Sequence, residues 1–270
     1  MTDLAYGGPV PFTSSLPAYL SPSRLADLRA CPRRFQHGSI DRIRQPATYA
    51  TTKGRAVHLV LERLFALPAA ERTRTAALAM VDDAVAEILT DEVRNDLSLT
   101  DDARDTLTDE CAHITSLYFE LEDPRTVASE GVELRLTATV EGVPMLGILD
   151  RLDRVGDELV IVDYKTGALP NRNYDAQTFA NTELYAALCE AAIGQRPLAI
   201  RLLYVAQGQA IERAVTDPVV RARTATAAEA WSRAQQYFAD GEFPATPSKN
   251  TCRFCAYRDL CRSNGVPVPA

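Results

Sequence analysis

No run of apolar residues in this 270-residue sequence approaches the ~18–20 that a membrane span requires. The amino-terminal MTDLAYGGPVPFTSSLPAYL lacks the basic stretch and apolar core of a signal peptide, so a cytoplasmic protein is expected. There is no internal repeat and no low-complexity linker. No G-x-x-x-x-G-K-[ST] loop is present either, so this chain holds no helicase motor motif of that kind. Positive charge is short overall: the formal net charge is −7. That total would argue against a nucleic-acid partner if charge were spread evenly, and it is not. Residues 1–60 hold eight basic side chains (Arg24, Arg29, Arg33, Arg34, Arg42, Arg44, Lys53, Arg55) against Asp3, Asp27 and Asp41. The last stretch holds Lys249, Arg253, Arg258 and Arg262 against Asp259 alone. Phosphate contacts depend on a local patch rather than the whole-chain sum. Disulfides are not expected, because six cysteines in the cytoplasm should be reduced or bound to metal.

What is present has the composition of a globular protein, with 46% hydrophobic and 24% charged residues. Residues 1–20, rich in Gly, Pro and Ser, read as a flexible lead-in, and 21–270 as a single domain. A helix should start at Ser21-Pro22-Ser23, where a hydroxyl cap and early proline suit a first turn, and carry Leu25, Leu28, Cys31-Pro32 and Phe35. A second should follow Thr51-Thr52 through GRAVHLVLERLF, with Val57, Leu61, Leu64 and Phe65 in one apolar stripe. Two more fit roughly 71–90 and 102–121, parted by DLSLTDD, so that a helical segment covers about 66–125. After Pro124 the period falls to two: Val132, Leu134, Leu136, Ala138 and Val140 alternate with polar neighbours. Turns at Glu141-Gly142 and Gly156-Asp157 would join that strand to MLGILDRLDRV and ELVIVDYKTG as a meander. A helix at about 175–194, strands near 198–206 and 209–215, and a helix at about 217–240 lead to a Pro- and Cys-containing tail at about 245–265. This order describes an α/β domain with a mixed sheet.

The chemistry concentrates in two strands. Asp150 in GILDRLD and Asp163-Tyr164-Lys165 in IVDYKTG lie near the ends of adjacent antiparallel strands, where a hairpin can bring them together. Two carboxylates at a sheet edge suit Mg²⁺ or Mn²⁺, which prefer oxygen ligands. Lys165, two residues beyond Asp163, shares its face of an extended strand and could orient an attacking water or stabilise developing negative charge. An Asp-x-Lys alone also suits an ordinary surface pair, and LDRLDR a solvated strand face.

The cysteines form a second constellation. Cys252, Cys255 and Cys261 have the spacing C-x2-C-x5-C, and Cys31 lies over two hundred residues upstream in LRACPRRF. One plus three thiolates can wrap a [4Fe–4S] cluster or, with the same stoichiometry, a tetrahedral Zn²⁺. Either group would clasp distant ends and hold the two basic segments side by side. Cys111 and Cys189, in apolar helical patterns, read as small buried residues.

In order along the chain, L-x-x-C-P-x-x-F, GRAVHLVLE, G-I-L-D-R-L-D, I-V-D-Y-K-T-G and the three cysteines resemble the RecB-like branch of the PD-(D/E)xK nuclease superfamily. The likeness covers roughly residues 21–262. It implies a restriction-endonuclease-like mixed β-sheet core flanked by helices, with a helical insertion and a C-terminal iron–sulfur tail. By resemblance His58 joins Asp150, Asp163 and the Tyr164 carbonyl as a metal ligand, and Asp150, Asp163, Lys165, His58 and Tyr185 form the catalytic set. AddB-type and CRISPR-associated members of this branch carry a [4Fe–4S] cluster on a one-plus-three cysteine set. That favours iron over zinc on Cys31, Cys252, Cys255 and Cys261. The family's Gln-x-x-x-Tyr is here Asn181-Thr-Glu-Leu-Tyr185, one methylene shorter at the amide, with Gln177 one turn earlier as a substitute. His37 and His113 match nothing in the pattern.

The implied activity is exonucleolytic hydrolysis of DNA, at single strands or frayed ends, in repair, recombination or CRISPR- and phage-related processing. A helicase or recombination partner is implied with it. Two other readings remain: a non-catalytic DNA-binding or assembly module that kept the fold, and a zinc-stabilised hydrolase of another phosphate ester.

Overall fold

The computed structural model describes residues 15–169 and 175–269, so most of the lead-in and the segment after the lysine motif lie outside it. The chain divides into two compact units. The first comprises Met1–Gln45, Thr139–Leu146 and Ala222–Ala270; the second comprises Pro46–Ala138 and Gly147–Arg221.

The second unit contains most of the sheet and the helices of the main core. Strands β1 (Ser129–Val140), β2 (Val143–Val155), β3 (Glu158–Lys165), β4 (Ala199–Tyr204) and β5 (Gln209–Ala214) are hydrogen-bonded neighbours in that order. Glu141 and Gly142 both take positive φ, 48° and 77°, as a two-residue hairpin turn between right-twisted strands requires. Pairing of β2 with β3 is antiparallel, with Arg151 opposite Val162 and Val155 opposite Glu158. β3 and β4 are parallel, with Asp163 opposite Leu202, and the intervening chain includes helix α8 (Asp175–Ile193). β4 and β5 are antiparallel. The apolar run Leu159–Val162 is buried on both faces of β3, which explains why it does not alternate with polar residues.

One face of β3 presents Val160, Val162 and Tyr164 to the main core. Helix α3 (Tyr49–Ala66) contributes Val57, Leu61, Leu64 and Phe65, the stripe legible in the sequence. It starts four residues earlier than the sequence suggests, because Thr48 and Thr51 cap one another's backbone N–H groups. The helix expected at about 71–90 is two, α4 (Arg74–Ala79) and α5 (Val81–Ile88), and a short α6 (Asp91–Leu97) runs into the first two residues of DLSLTDD. Ser98 ends α6 in the left-handed region, and α7 (Asp101–Tyr118) follows, capped by Thr100. Leu107, Cys111, Ile114 and Tyr118 of α7 are buried, so much of the apolar surface of this helical segment is used in packing. Cys111 and Cys189 are fully buried, and burial raises their thiols to about 11 and about 12.

The first unit is built on both ends of the chain. Ser21 caps α1 (Pro22–Ala30), accepting from the Arg24 N–H at 3.3 Å, and Leu25 and Leu28 are buried. The helix breaks at Cys31, in extended conformation, because Pro32 disfavours helical backbone in the residue before it. A short α2 (Pro32–Phe35) and a π-helical turn (Gln36–Ile40) follow. Leu20 pairs backbone groups with Pro144 and Leu146 and is fully buried. From the carboxyl end, α9 (Asp217–Ala239) leads to α10 (Lys249–Arg253) and α11 (Arg258–Ser263). Phe35 stacks at 5.8 Å on Phe243, and the Tyr257 hydroxyl donates to the Ile43 carbonyl while accepting from Gln45 Nε2, each at 3.0 Å. Protein contacts alone therefore join the two ends. Among the described residues no helix is long and apolar enough to cross a membrane.

Among the described residues Arg151, on β2, is the largest fully buried side chain, 0% exposed. It makes paired hydrogen bonds to Asp153 (2.7 and 2.8 Å) and Glu122 (2.6 and 3.1 Å), donates to the Tyr164 hydroxyl at 2.7 Å, and lies over the Phe65 ring. The LDRLD segment is thus no solvated face: Arg151, Leu152 and Asp153 are all buried. Removing one partner from such a network leaves uncompensated charge, costing about 3–5 kcal/mol. Arg151→Met should lower unfolding stability by that amount in urea titration; a loss under 1 kcal/mol would show that the network is dispensable.

Candidate metal centre and cysteine pocket

In the second unit, the carboxyl end of β3 meets the middle of α3. Two glycines make the approach possible. A Cβ on Gly54 would lie 2.9 Å from Thr166 Oγ1, so the bare position lets the residue after Lys165 settle against α3. His58, one turn on and on the same helix face, then reaches the strand. Its Nε2–H donates to the Tyr164 carbonyl at 3.0 Å, and its Nδ1 is 3.5 Å from Asp150 Oδ1. On the adjacent strand, a Cβ on Gly147 would lie 2.6 Å from the Tyr185 ring and 2.8 Å from Leu188, so glycine there admits α8.

Asp150 accepts the Tyr164 backbone N–H at 2.7 Å through Oδ2, which fixes its carboxylate and leaves Oδ1 toward His58. Asp163 is half-buried, with its Oδ2 atom out of solvent, and the Lys165 ammonium lies 2.6 Å from that oxygen. That oxygen nonetheless lacks a hydrogen bond of acceptable geometry, so it is an incompletely satisfied buried acceptor. Burial, with the Asp150 charge, pushes the Asp163 carboxyl up against the pull of Lys165 and His58. Burial opposes the charged form of His58, but the hydrogen bond and charge of Asp150, with Asp163 and Glu133, raise it above the ordinary histidine value. Lys165 behaves alike: burial works against its charge, and Asp163 and Asp150 more than offset it. Tyr185 is raised by burial and then by the charges of Asp163, Asp150 and Glu133.

The structure adds a residue that the sequence did not single out. Donor atoms of His58, Glu133 and Asp150 lie within 4.8 Å of one another. Glu133 occupies the left-handed region, φ 44°, inside β1, a conformation that costs a non-glycine residue about 1–3 kcal/mol. This kink interrupts the alternation of the strand at Glu133. Burial and the charges of Asp150 and Glu62 push its carboxyl up, with His58 pulling it down. The signal in the sequence was only an acid within VELRLT, indistinguishable from a solvent-facing strand position. Gly54, His58, Glu62, Glu133, Asp150 and Thr166 line an open cleft of about 860 Å³.

One nitrogen and several carboxylate and carbonyl oxygens form a donor set suited to Mg²⁺ or Mn²⁺. The strained Glu133 and the ill-satisfied Asp163 oxygen fit such a cation better than they fit each other. Asp163 itself is turned to Lys165 and lies outside the tight trio. Asn181 is exposed, and the side chain of Gln177 lies outside the described residues. His37 is buried and bonded to Asp41, and His113 is exposed; neither belongs to the site.

In the first unit, Cys31, Cys252, Cys255 and Cys261 line one small pocket with Ala245, Pro247, Val266 and Val268. All four are free thiols. The Thr246 N–H donates to Cys31 Sγ at 3.4 Å. Cys261 is raised by burial and by the other three sulfurs, with Arg33 opposing, so all four are close enough to interact.

Two outcomes follow for the metal centre. A carboxyl raised by its surroundings destabilises the fold when ionised, so its loss should help the metal-free protein. Glu133→Gln should therefore leave the melting temperature without divalent cation unchanged or higher, while reducing the rise that Mn²⁺ produces. An unaltered Mn²⁺-induced rise would remove Glu133 from the centre. Gly147→Ala forces its methyl into the Tyr185 ring and should cost about 1–3 kcal/mol in denaturant unfolding; a neutral result would contradict the close packing.

Comparison with solved structures gives a likeness to one titled "Crystal structure of SSO0001", at 13% identity and TM-score 0.40, covering 88% of this chain and 84% of that one. That likeness is too slight to bear on function. No curated protein matches. The family model of the PD-(D/E)XK nuclease superfamily matches residues 19–262, a span that takes in both constellations. The five-stranded mixed sheet flanked by helices is accordingly a restriction-endonuclease-like α/β fold, and the chain belongs to the PD-(D/E)XK nuclease superfamily.

Proposed function

We propose that the chain is a metal-dependent deoxyribonuclease of the RecB-like branch, acting as an exonuclease on single strands or frayed ends. The observation that carries this reading is the convergence of His58, Glu133 and Asp150 beside Asp163 and Lys165 at one end of the sheet. His58, Asp150, Asp163 and the Tyr164 carbonyl would hold Mg²⁺ or Mn²⁺, with Glu133 as a further ligand. The cation, when bound, supplies a water of lowered pKa and positive charge against the phosphate. Lys165, kept protonated by Asp163, orients the attacking water and stabilises negative charge that develops on the phosphate oxygens. Tyr185 packs on Gly147 and keeps bulk water from the Asp150 side. Arg151 fixes the Tyr164 side chain from below, so that its carbonyl stays aimed at His58.

For the cysteine pocket the reading is a [4Fe–4S] cluster: Cys31, Cys252, Cys255 and Cys261 line it together, and four thiolates offer one ligand to each iron. Iron rather than zinc rests on the RecB-like motifs. Six free thiols also suit a reducing cytoplasm. The preference for ends and single strands, and a setting in repair, recombination or CRISPR- and phage-related processing with a helicase partner, rest on the ordered RecB-like motifs.

End-labelled single- and double-stranded DNA, with circular single strands alongside, tests the activity. Wild type with Mg²⁺ or Mn²⁺ should shorten linear strands and spare circles. Asp163→Ala and Lys165→Ala should each lose at least about 100-fold in rate. Cleavage that survives both substitutions would contradict the assignment, and retained binding without any cleavage would favour a non-catalytic module. Protein purified without oxygen should be brown, absorb at about 400 nm and carry about four irons. A colourless, zinc-containing protein would overturn the cluster.

A further inference from the structure

Charge is segregated between the two units. The second, which holds the metal centre, has seventeen Lys and Arg against twenty-eight Asp and Glu; the first has twelve against eight. A polyanion is therefore repelled by the unit that carries the chemistry and attracted by the one that carries the cysteines. On that basic unit Phe254 is 81% exposed, the most exposed large hydrophobic side chain among the described residues. The unit's own core does not need it, since Phe35 and Phe243 fill that role.

Phe254 sits inside the C-x2-C turn, directly after α10. The turn is held by the Cys255 N–H on the Cys252 carbonyl (3.2 Å) and by the Ser248 cap on Thr251 (3.1 Å), and its two cysteines face the pocket. Their inward orientation leaves the intervening residues outside. The Arg253 guanidinium lies 5.1 Å from the Phe254 ring centroid. Lys249 and Arg253, four residues apart on one helix face, are both exposed, and among the described residues neither meets a carboxylate. An isolated surface phenylalanine needs no explanation. One flanked by unpaired cations, on a turn fixed at both ends, has the parts of a stacking platform for nucleic-acid bases with charge for the phosphates.

We propose that Phe254, Arg253 and Lys249 form a binding site for single-stranded DNA on the outside of the cysteine turn, with a base stacked on Phe254 and phosphates on the two cations. A duplex offers no free base face there, so the site selects single strands or frayed ends. This inference rests on the nuclease reading for its ligand and adds where the strand is gripped.

The test uses the full-length, cluster-loaded protein without divalent cation, so that no cleavage occurs. The probes are a fluorescein-labelled oligothymidine and an abasic oligomer of equal length, read by anisotropy. Phe254→Ala should weaken oligothymidine binding about tenfold and leave abasic binding unchanged, whereas Phe254→Trp keeps both. Arg253→Ala should weaken both probes and reduce the salt dependence by about one phosphate contact. Unchanged melting temperature and cluster absorbance in Phe254→Ala show that the fold is intact. Equal oligothymidine affinity for wild type and Phe254→Ala would overturn the proposal and leave the ring to a protein partner; an equal loss on both probes would overturn stacking. Should wild type cleave DNA once Mg²⁺ is added, while Phe254→Ala binds normally without it, this inference alone falls. Should wild type neither bind DNA without the cation nor cleave it with Mg²⁺, the nuclease reading falls and takes this one with it.

Discussion

Glu133, Asp150 and Asp163 place carboxylates around one partly buried end of the sheet, where water screens them far less than at the surface. Everything nearby can be understood as a response to that concentration of charge. It raises the pKa of both Lys165 and His58 above their ordinary values, and Asp150 spends one oxygen on a backbone N–H. Beneath the same strands Arg151 is satisfied by two carboxylates and a tyrosine hydroxyl, so the positive charge under the site is locked and cannot swing up to neutralise it. What remains on the cleft side is a donor set with more negative charge than its protein partners offset. A divalent cation relieves it, and the strain at Glu133 is the backbone cost of completing the set.

The second unit carries both the main core and the metal centre, while the first joins the chain ends. The second unit's core, from α3, α5, α7 and β3, is ordinary apolar packing that holds two glycines at close approaches and so sets the position of His58 and Tyr185. The first unit joins the chain ends through Phe35, Phe243 and Tyr257 before any cofactor is considered. A cluster on its four cysteines would add to a junction the protein already makes, and would stiffen a turn whose outer residues are basic and aromatic.

Much of this was legible in the residues. The α3 stripe, the meander, the last helix and the Asp150–Asp163–Lys165 face follow from period and turn chemistry, which are local properties. The motif glycines could be seen but not explained, since the reasons for Gly54 and Gly147 are Thr166 and Tyr185, which lie far along the chain. Arg151 was hidden because an Asp-Arg-Leu-Asp pattern reads equally well as a wet surface; its burial depends on Glu122, in the loop after α7, whose position no local pattern reveals. Glu133 was hidden for a further reason: one left-handed residue re-aims it, and period-two patterning assumes that no such kink occurs. The split at Met80 likewise lets α4 and α5 each pack against α3 and α7.

The central claim is that the end of β2 and β3 is a divalent-cation centre. Crystals grown with Mn²⁺ and measured for anomalous scattering at the manganese edge address it directly. The account predicts a single strong peak in contact with Asp150 and His58, with a Glu133 oxygen and the Tyr164 carbonyl around it. A map with no peak there, and His58 still hydrogen-bonded to the Tyr164 carbonyl, would contradict it.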